Sequence, residues 1–264
     1  MSTPNRTSIL ITGATAGIGR TTALYLVDRG HHVIASGRRA DELARLAADA
    51  RGKAGRLDTV ALDVTAPDSI AAAVRAVEQL TGERGLDVLI NNAGFGVLGP
   101  TSEIADAEMR RNYETNVFGL MNVIRAVLPA MRARRSGRII NVSSVGGRLT
   151  LPYFGVYNST KYAVESLSDA LRYELRPFGV DVVLIEPGVI RTNFEATAVA
   201  GIAAYTTTPY AAPMARYEQM SRVADRFASA PIVVAEAIGR AVIAPDVEPT
   251  PVRDFLARKL AEKA

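Results

Sequence analysis

At 264 residues, 48% apolar and 22% charged, the chain has ordinary globular composition and room for one large α/β domain or two small ones. The net charge of +4 comes mostly from arginines interleaved with acids, and only Lys53, Lys161, Lys259 and Lys263 are lysines, so no nucleic-acid footprint is present. The absence of cysteine excludes a disulfide framework, a thiolate nucleophile and Cys-ligated zinc, and His31 and His32 alone are poor material for a metal site or a Ser-His-Asp hydrolase.

Apolar runs alternate with helical patterns from the start. Strands are expected at 8–11, 32–35, 59–62, 86–90, 138–142 and 180–185, with helices at 18–29, 40–50, 68–80 and a long one through Val117, Leu120, Ile124, Val127 and Leu128. Strands apolar on both sides and separated by helices point to a parallel, doubly wound sheet of Rossmann type, an α/β fold with helices on both faces. After Pro187 the rhythm gives way to an Ala-, Thr-, Tyr- and Pro-rich stretch at 193–213, then helical patterns at 216–228, 233–243 and 254–263. We read 1–264 as a single domain with 193–230 as a substrate-binding lid, since loops this long are commonly functional. The N-terminus has no signal-peptide pattern and no 18 uncharged apolar residues run together, so a cytoplasmic protein without a membrane span is expected.

The first strand enters Thr12-Gly13-Ala14-Thr15-Ala16-Gly17-Ile18-Gly19 and a helix follows. Glycines there let the backbone approach a pyrophosphate at a helix N-terminus, so Gly13, Thr15, Gly17, Ile18 and Gly19 are cofactor-binding candidates. At the end of the second strand, where an acid would bind the ribose of NAD(H), the chain reads Ser36-Gly37-Arg38-Arg39. The missing carboxylate and the forked donor of Arg38 favour NADP(H), while Asp41 and Glu42 are read as first-turn helix residues. Tyr157 and Lys161, four apart on a helix, share one face, and the ammonium there favours ionisation of the phenol.

In order along the chain, these motifs, with Asp63, Asn91-Asn92-Ala93-Gly94, Asn116, Ser144 and Pro187-Gly188 to Thr192, resemble the short-chain dehydrogenase/reductase family over residues 9–192. The resemblance implies a hydride-transfer oxidoreductase in which Ser144 binds the substrate oxygen and Tyr157 is the acid or base. It further implies that Lys161 lowers the Tyr pKa and holds the ribose, and that Asn116 anchors a proton-relay water. Ser143 competes with Ser144, but Ser144 has the family's separation of 13 residues from Tyr157. The cofactor contacts implied are Asp63 and Val64 at the adenine, Asn91, Ala93 and Gly94 beside the ribose, Pro187, Gly188 and Val189 after the sixth strand, and Thr192 at the carboxamide.

The stretch 157–194 looks like the steroid and retinoid dehydrogenase-like branch. With apolar pocket walls at Phe95 to Val97, 146–154 and 194–217, it suggests a hydrophobic carbonyl or alcohol substrate. The alternatives are a small polar or 3-oxoacyl substrate, an acidic one held by Arg148 or Arg191, or a silent NADP(H)-binding regulator. The helices near 113–131 and 157–175 resemble those that pair subunits in the family, implying a homodimer or homotetramer.

Overall fold

The computed structural model describes residues 7–194, 198, 200–224 and 227–244. Six parallel strands lie in the order β3-β2-β1-β4-β5-β6, with β1 Ser8–Ile11, β2 His32–Gly37, β3 Arg56–Ala61, β4 Val88–Asn91, β5 Gly137–Val142 and β6 Val180–Ile185. The helices are α1 Gly17–Asp28, α2 Ala40–Asp49, α3 Pro67–Thr81, α4 Asp106–Tyr113, α5 Leu120–Arg134, α6 Gly155–Leu175, α7 Ala211–Ala224 and α8 Pro231–Ile243. A π-helical turn, Glu114–Gly119, joins α4 to α5.

Alternate strand residues serve opposite faces, and this divides the core in two. Leu10, Ile34, Leu89, Ile139 and Val182 face a cluster closed by α3, α5 and α6. Ile9, Ile11, Val33, Ile90 and Ile140 face one closed by Ala23, Leu26 and Val27 of α1, Leu46 of α2, and Val234 and Ile238 of α8. β1 pairs with β2 on one side and β4 on the other, so the chain reverses its direction of travel across the sheet at their C-terminal ends. That reversal opens a crevice in which ligands of such sheets bind.

Three expectations from sequence change. β3 begins at Arg56, three residues earlier than its apolar run, because it is an edge strand in which five of the six residues are half-buried or exposed and Val60 alone is buried. The helical pattern after 213 begins at Ala211, with Pro213 in the first turn where its missing N–H costs nothing, and a short 3-10 helix, Ala200–Tyr205, occupies part of the expected loop. The pattern expected at 254–263 lies outside the described residues.

Candidate active site

The crevice is floored by two turns that meet backbone to backbone. Gly13 has φ +66°, and a Cβ there would lie 2.8 Å from Cα of Ala93. Gly17 has φ +51° and packs on Thr192, which brings the loop after β6 over the glycine-rich turn. Two side chains not singled out from sequence fasten this junction. The Thr12 hydroxyl accepts N–H bonds from Asn92 and Ala93, each 3.0 Å, and the Asn92 amide donates to the carbonyls of Thr12 and Gly13 at 3.0 and 3.1 Å. Each such bond contributes about 1 kcal/mol, so the set matters more than any one.

At the adenosine end, Arg38 is exposed after β2 and its charge acts on Asp63. Asp63 is held below the usual carboxylate range, first by the Thr65 N–H and then by its hydroxyl and Arg38. Arg39, not expected at the site from sequence, reaches the glycine-rich turn and donates to Thr15 Oγ1 at 3.3 Å. Asp41 and Glu42 lie in the first turn of α2 and pair with Arg45, as expected of helix residues. Val64 is buried, close to Gly119. The Asn91 amide departs from expectation: it donates to Asn141 at 3.0 Å beneath the strand ends, within a buried chain that continues to Ser168, so the side chain is in the core. Val189 is half exposed and its carbonyl accepts from Ser229, while Pro187 accepts from Val145.

The helix and turn carrying Ser144, Tyr157 and Lys161 converge at the other end. Ser144 caps the short 3-10 helix Val145–Gly147 and accepts from the Gly146 N–H at 3.0 Å. Asn158 holds this turn against α6 by donating to the carbonyls of Gly146 and Leu149 at 2.9 and 2.7 Å. The Ser144 hydroxyl lies on the Tyr157 side of this turn, both flanking Gly146, and acts to lower the phenol pKa. The phenol lies under an aromatic wall, with ring centroids of Phe194 and Phe154 at 5.2 and 5.9 Å. Lys161 Nζ donates to the Val142 carbonyl at 2.9 Å and stands 5.8 Å from the Tyr157 ring centre. Asn116, in the π turn, donates to Phe95 O and Thr160 Oγ1 and accepts from the Phe95 N–H, with Gly94 leaving room beside both Asn116 and Lys161.

Burial decides the protonation states here. It pushes the Tyr157 phenol up to about 12, against the Ser144 hydroxyl that lowers it, and it brings Lys161 down to about 8, against the carboxylate of Glu165. Among the chain's own groups it is Ser144 that lowers Tyr157, and desolvation outweighs it. At neutral pH Tyr157 is a phenol and can give up a proton to an oxygen that gains charge.

The family model for short chain dehydrogenase matches residues 7–203. The chain belongs to the short-chain dehydrogenase family. Among its curated relatives, a 3-ketodihydrosphingosine reductase of Bacteroides thetaiotaomicron is 42% identical over 187 residues, 70% of this chain and 65% of that protein. Dehydrogenase/reductase SDR family member 9 of Homo sapiens is 43% identical over 186 residues, 70% of this chain and 57% of that one. The aligned parts thus cover less than two thirds of either relative. Among solved structures, actinorhodin polyketide ketoreductase with NADPH has a TM-score of 0.78 and 30% identity over 92% of this chain and 93% of that one. A short-chain dehydrogenase from Streptomyces avermitilis has 0.79 and 32% over 98% and 94%.

The lid expected at 193–230 contributes to a third apolar cluster: Ala198, Ile202, Tyr205 and Met214 pack with Val97, Leu98, Ile104 and Val156, and Tyr217 stacks edge-on with Tyr153 and Phe154. Of the two arginines offered for an acidic substrate, Arg148 is committed to Glu165 and Glu186, while Arg191 is exposed and donates to the Ala228 carbonyl. A separate apolar cavity of about 690 Å³ lies between the 184–190 stretch and α8, and none of Ser144, Tyr157 and Lys161 lines it. Among the described residues no helix is long and apolar enough to cross a membrane and no group of side chains could hold a metal ion.

Proposed function

We propose that the chain is an NADP(H)-dependent oxidoreductase that interconverts a carbonyl and a primary or secondary alcohol on a hydrophobic substrate. The observation that carries this reading is the buried Tyr157 phenol, beside Ser144 and walled by Phe154 and Phe194. The close approach of Gly13 to Ala93, with Thr15 and the two arginines at the β2 end, suits a dinucleotide carrying a 2′-phosphate, and Gly94 leaves space between Asn116 and Lys161 for a ribose. NADPH, when bound, supplies the hydride. Ser144 and Tyr157 present two hydroxyl donors where the substrate oxygen gains negative charge, and Tyr157 passes its proton to that oxygen. A phenol at about 12 is protonated at neutral pH, the form that donates in the reductive direction.

The apolar lid and the name of the Bacteroides relative favour a long-chain keto lipid over a small polar carbonyl. The test is NADPH consumption over steroids, retinoids, aldehydes, long-chain 3-keto lipids and 3-oxoacyl thioesters. Turnover confined to the small polar members would overturn the substrate class, and tight NADPH binding with no turnover on any would favour the regulator. A cytoplasmic setting suits a chain without cysteine.

Arg38→Asp places a carboxylate where a ribose hydroxyl would bind and removes a phosphate donor. We expect the kcat/KM ratio of NADPH over NADH to fall by about 10²-fold or more, the worth of two charge-assisted bonds. An unchanged ratio would show that Arg39 or Thr15 alone holds the phosphate. Exposed Phe118 and Tyr162, on the π turn and α6, support a homodimer or homotetramer formed through these helices. Light scattering at micromolar concentration should give a multiple of 28.2 kDa, and a monomer mass would refute it.

A further inference from the structure

One turn beyond Lys161, on the same face of α6, stands a second buried charge that the mechanism has not used. Glu165 is 4% exposed and Lys161 7%, so Tyr157, Lys161 and Glu165 form a buried row at four-residue spacing. A lone buried carboxylate is costly, and this one is paired: Arg148 Nη2 lies 2.8 Å from Glu165 Oε2 and 3.0 Å from Glu186 Oε1. The turn carrying Ser144 is shaped to reach it. A Cβ on Gly147 would lie 2.9 Å from both Glu165 Cγ and Ser143 Oγ and 3.1 Å from the Lys161 carbonyl, so only a glycine lets the turn lie flat on this part of α6.

We infer that Glu165, fixed by Arg148, is a positioning residue that keeps the Lys161 ammonium charged beneath Tyr157 and docks the Ser144 turn on α6. The inference rests on the proposed function insofar as Lys161 serves Tyr157. The groups facing the pair are few. α6 supplies Tyr157, Glu165 and Asp169, and Asp169 is engaged by Arg172 at 2.5 Å. The β5 end supplies Ser143, Ser144 and Arg148, the β6 end Glu186, and the π turn the neutral Asn116. Of these, Glu165 is the charge that opposes the desolvation of Lys161. Its own carboxyl is raised, first by burial and then by Glu186 and Asp169, and Ser143 and then Arg148 oppose that rise and favour its ionised form.

The signs follow. Lys161 is protonated below its pKa, and removing Glu165 extends the neutral form to lower pH. Each unit of downward movement cuts the charged fraction about tenfold above that point. Turnover should then fail on the alkaline side earlier than in the wild type, in kcat at saturating NADPH.

With four lysines in the chain, the full-length protein labelled with 13C at lysine Cε gives a spectrum in which Lys161 is identified by its loss in Lys161→Arg. We expect its resonance to titrate near pH 8 in the wild type, at lower pH in Glu165→Gln, and back toward the wild-type value in Glu165→Asp. The alkaline limb of NADPH-dependent reduction should move with it. An unmoved Lys161 titration in folded Glu165→Gln overturns the inference. If that variant does not fold, the double variant Arg148→Met, Glu165→Met removes both ends of the pair, leaves no lone buried charge, and must give the same downward movement. Activity surviving in Tyr157→Phe would sink the proposed reaction, yet the lysine titration would still decide the role of Glu165.

Discussion

Tyr157→Phe should lose about 10²- to 10⁴-fold in kcat for carbonyl reduction while NADPH binds as in the wild type. The substitution deletes one oxygen and keeps the ring, so the edge-on contacts with Phe154 and Phe194 and the burial of the site survive. What disappears is the proton that the phenol holds throughout the neutral range and the second donor to the substrate oxygen. The Ser144 hydroxyl would remain, still bonded to the Gly146 N–H, and accounts for the residual rate. Binding of NADPH, followed by its fluorescence, separates a chemical defect from a structural one. A variant keeping more than a tenth of wild-type kcat would mean that another group delivers the proton.

This site was partly legible because its pieces are short and local. The glycine-rich turn and the Tyr157 to Lys161 spacing each lie within one turn of a single element, and buried parallel strands such as Ser8–Ile11 stand out as unbroken apolar runs. What could not be read is what depends on distant segments meeting. Thr12 and Asn92 are some 80 positions apart, and only the pairing of β1 with β4 brings them together. α4 is polar on nearly every side, with Asn112 its one buried residue, so no apolar stripe marks its start. The π turn at Glu114–Gly119 departs from the 3.6-residue period that would reveal a helix. That Arg39, beside Arg38, reaches Thr15 Oγ1 is likewise illegible, because sequence does not say which side of the β2 end the glycine-rich turn occupies. The upward shift of Tyr157 is not legible in sequence, where the Lys161 ammonium is visible but the degree of burial, a property of the packed site, is not.

Gly13→Ala should be strongly damaging for a single methyl group at the glycine-rich turn. Two costs combine at this position. Its φ of +66° is left-handed, which costs an L-residue about 1–2 kcal/mol. The new Cβ would also sit 2.8 Å from Ala93 Cα and 3.1 Å from Ala93 N, backbone atoms that cannot rotate away. Thr12 and Asn92 lock that backbone in place, so the junction must open or the strands must shift, at about 1–3 kcal/mol more. The sum, about 2–5 kcal/mol, is a large fraction of the 5–15 typical of a folded domain and corresponds to a fall in Tm of about 5–15 °C. Gly52 is the internal control. It has φ +77° and nothing within 4 Å of a built Cβ, so Gly52→Ala should bear only the backbone cost and leave NADPH affinity unchanged. Thermal unfolding of the two variants, with and without NADPH, reads both terms. Equal losses of Tm would show that the close approach to Ala93 contributes nothing, whereas a deeper loss in Gly13→Ala together with weakened NADPH binding ties the meeting of the two turns to the cofactor.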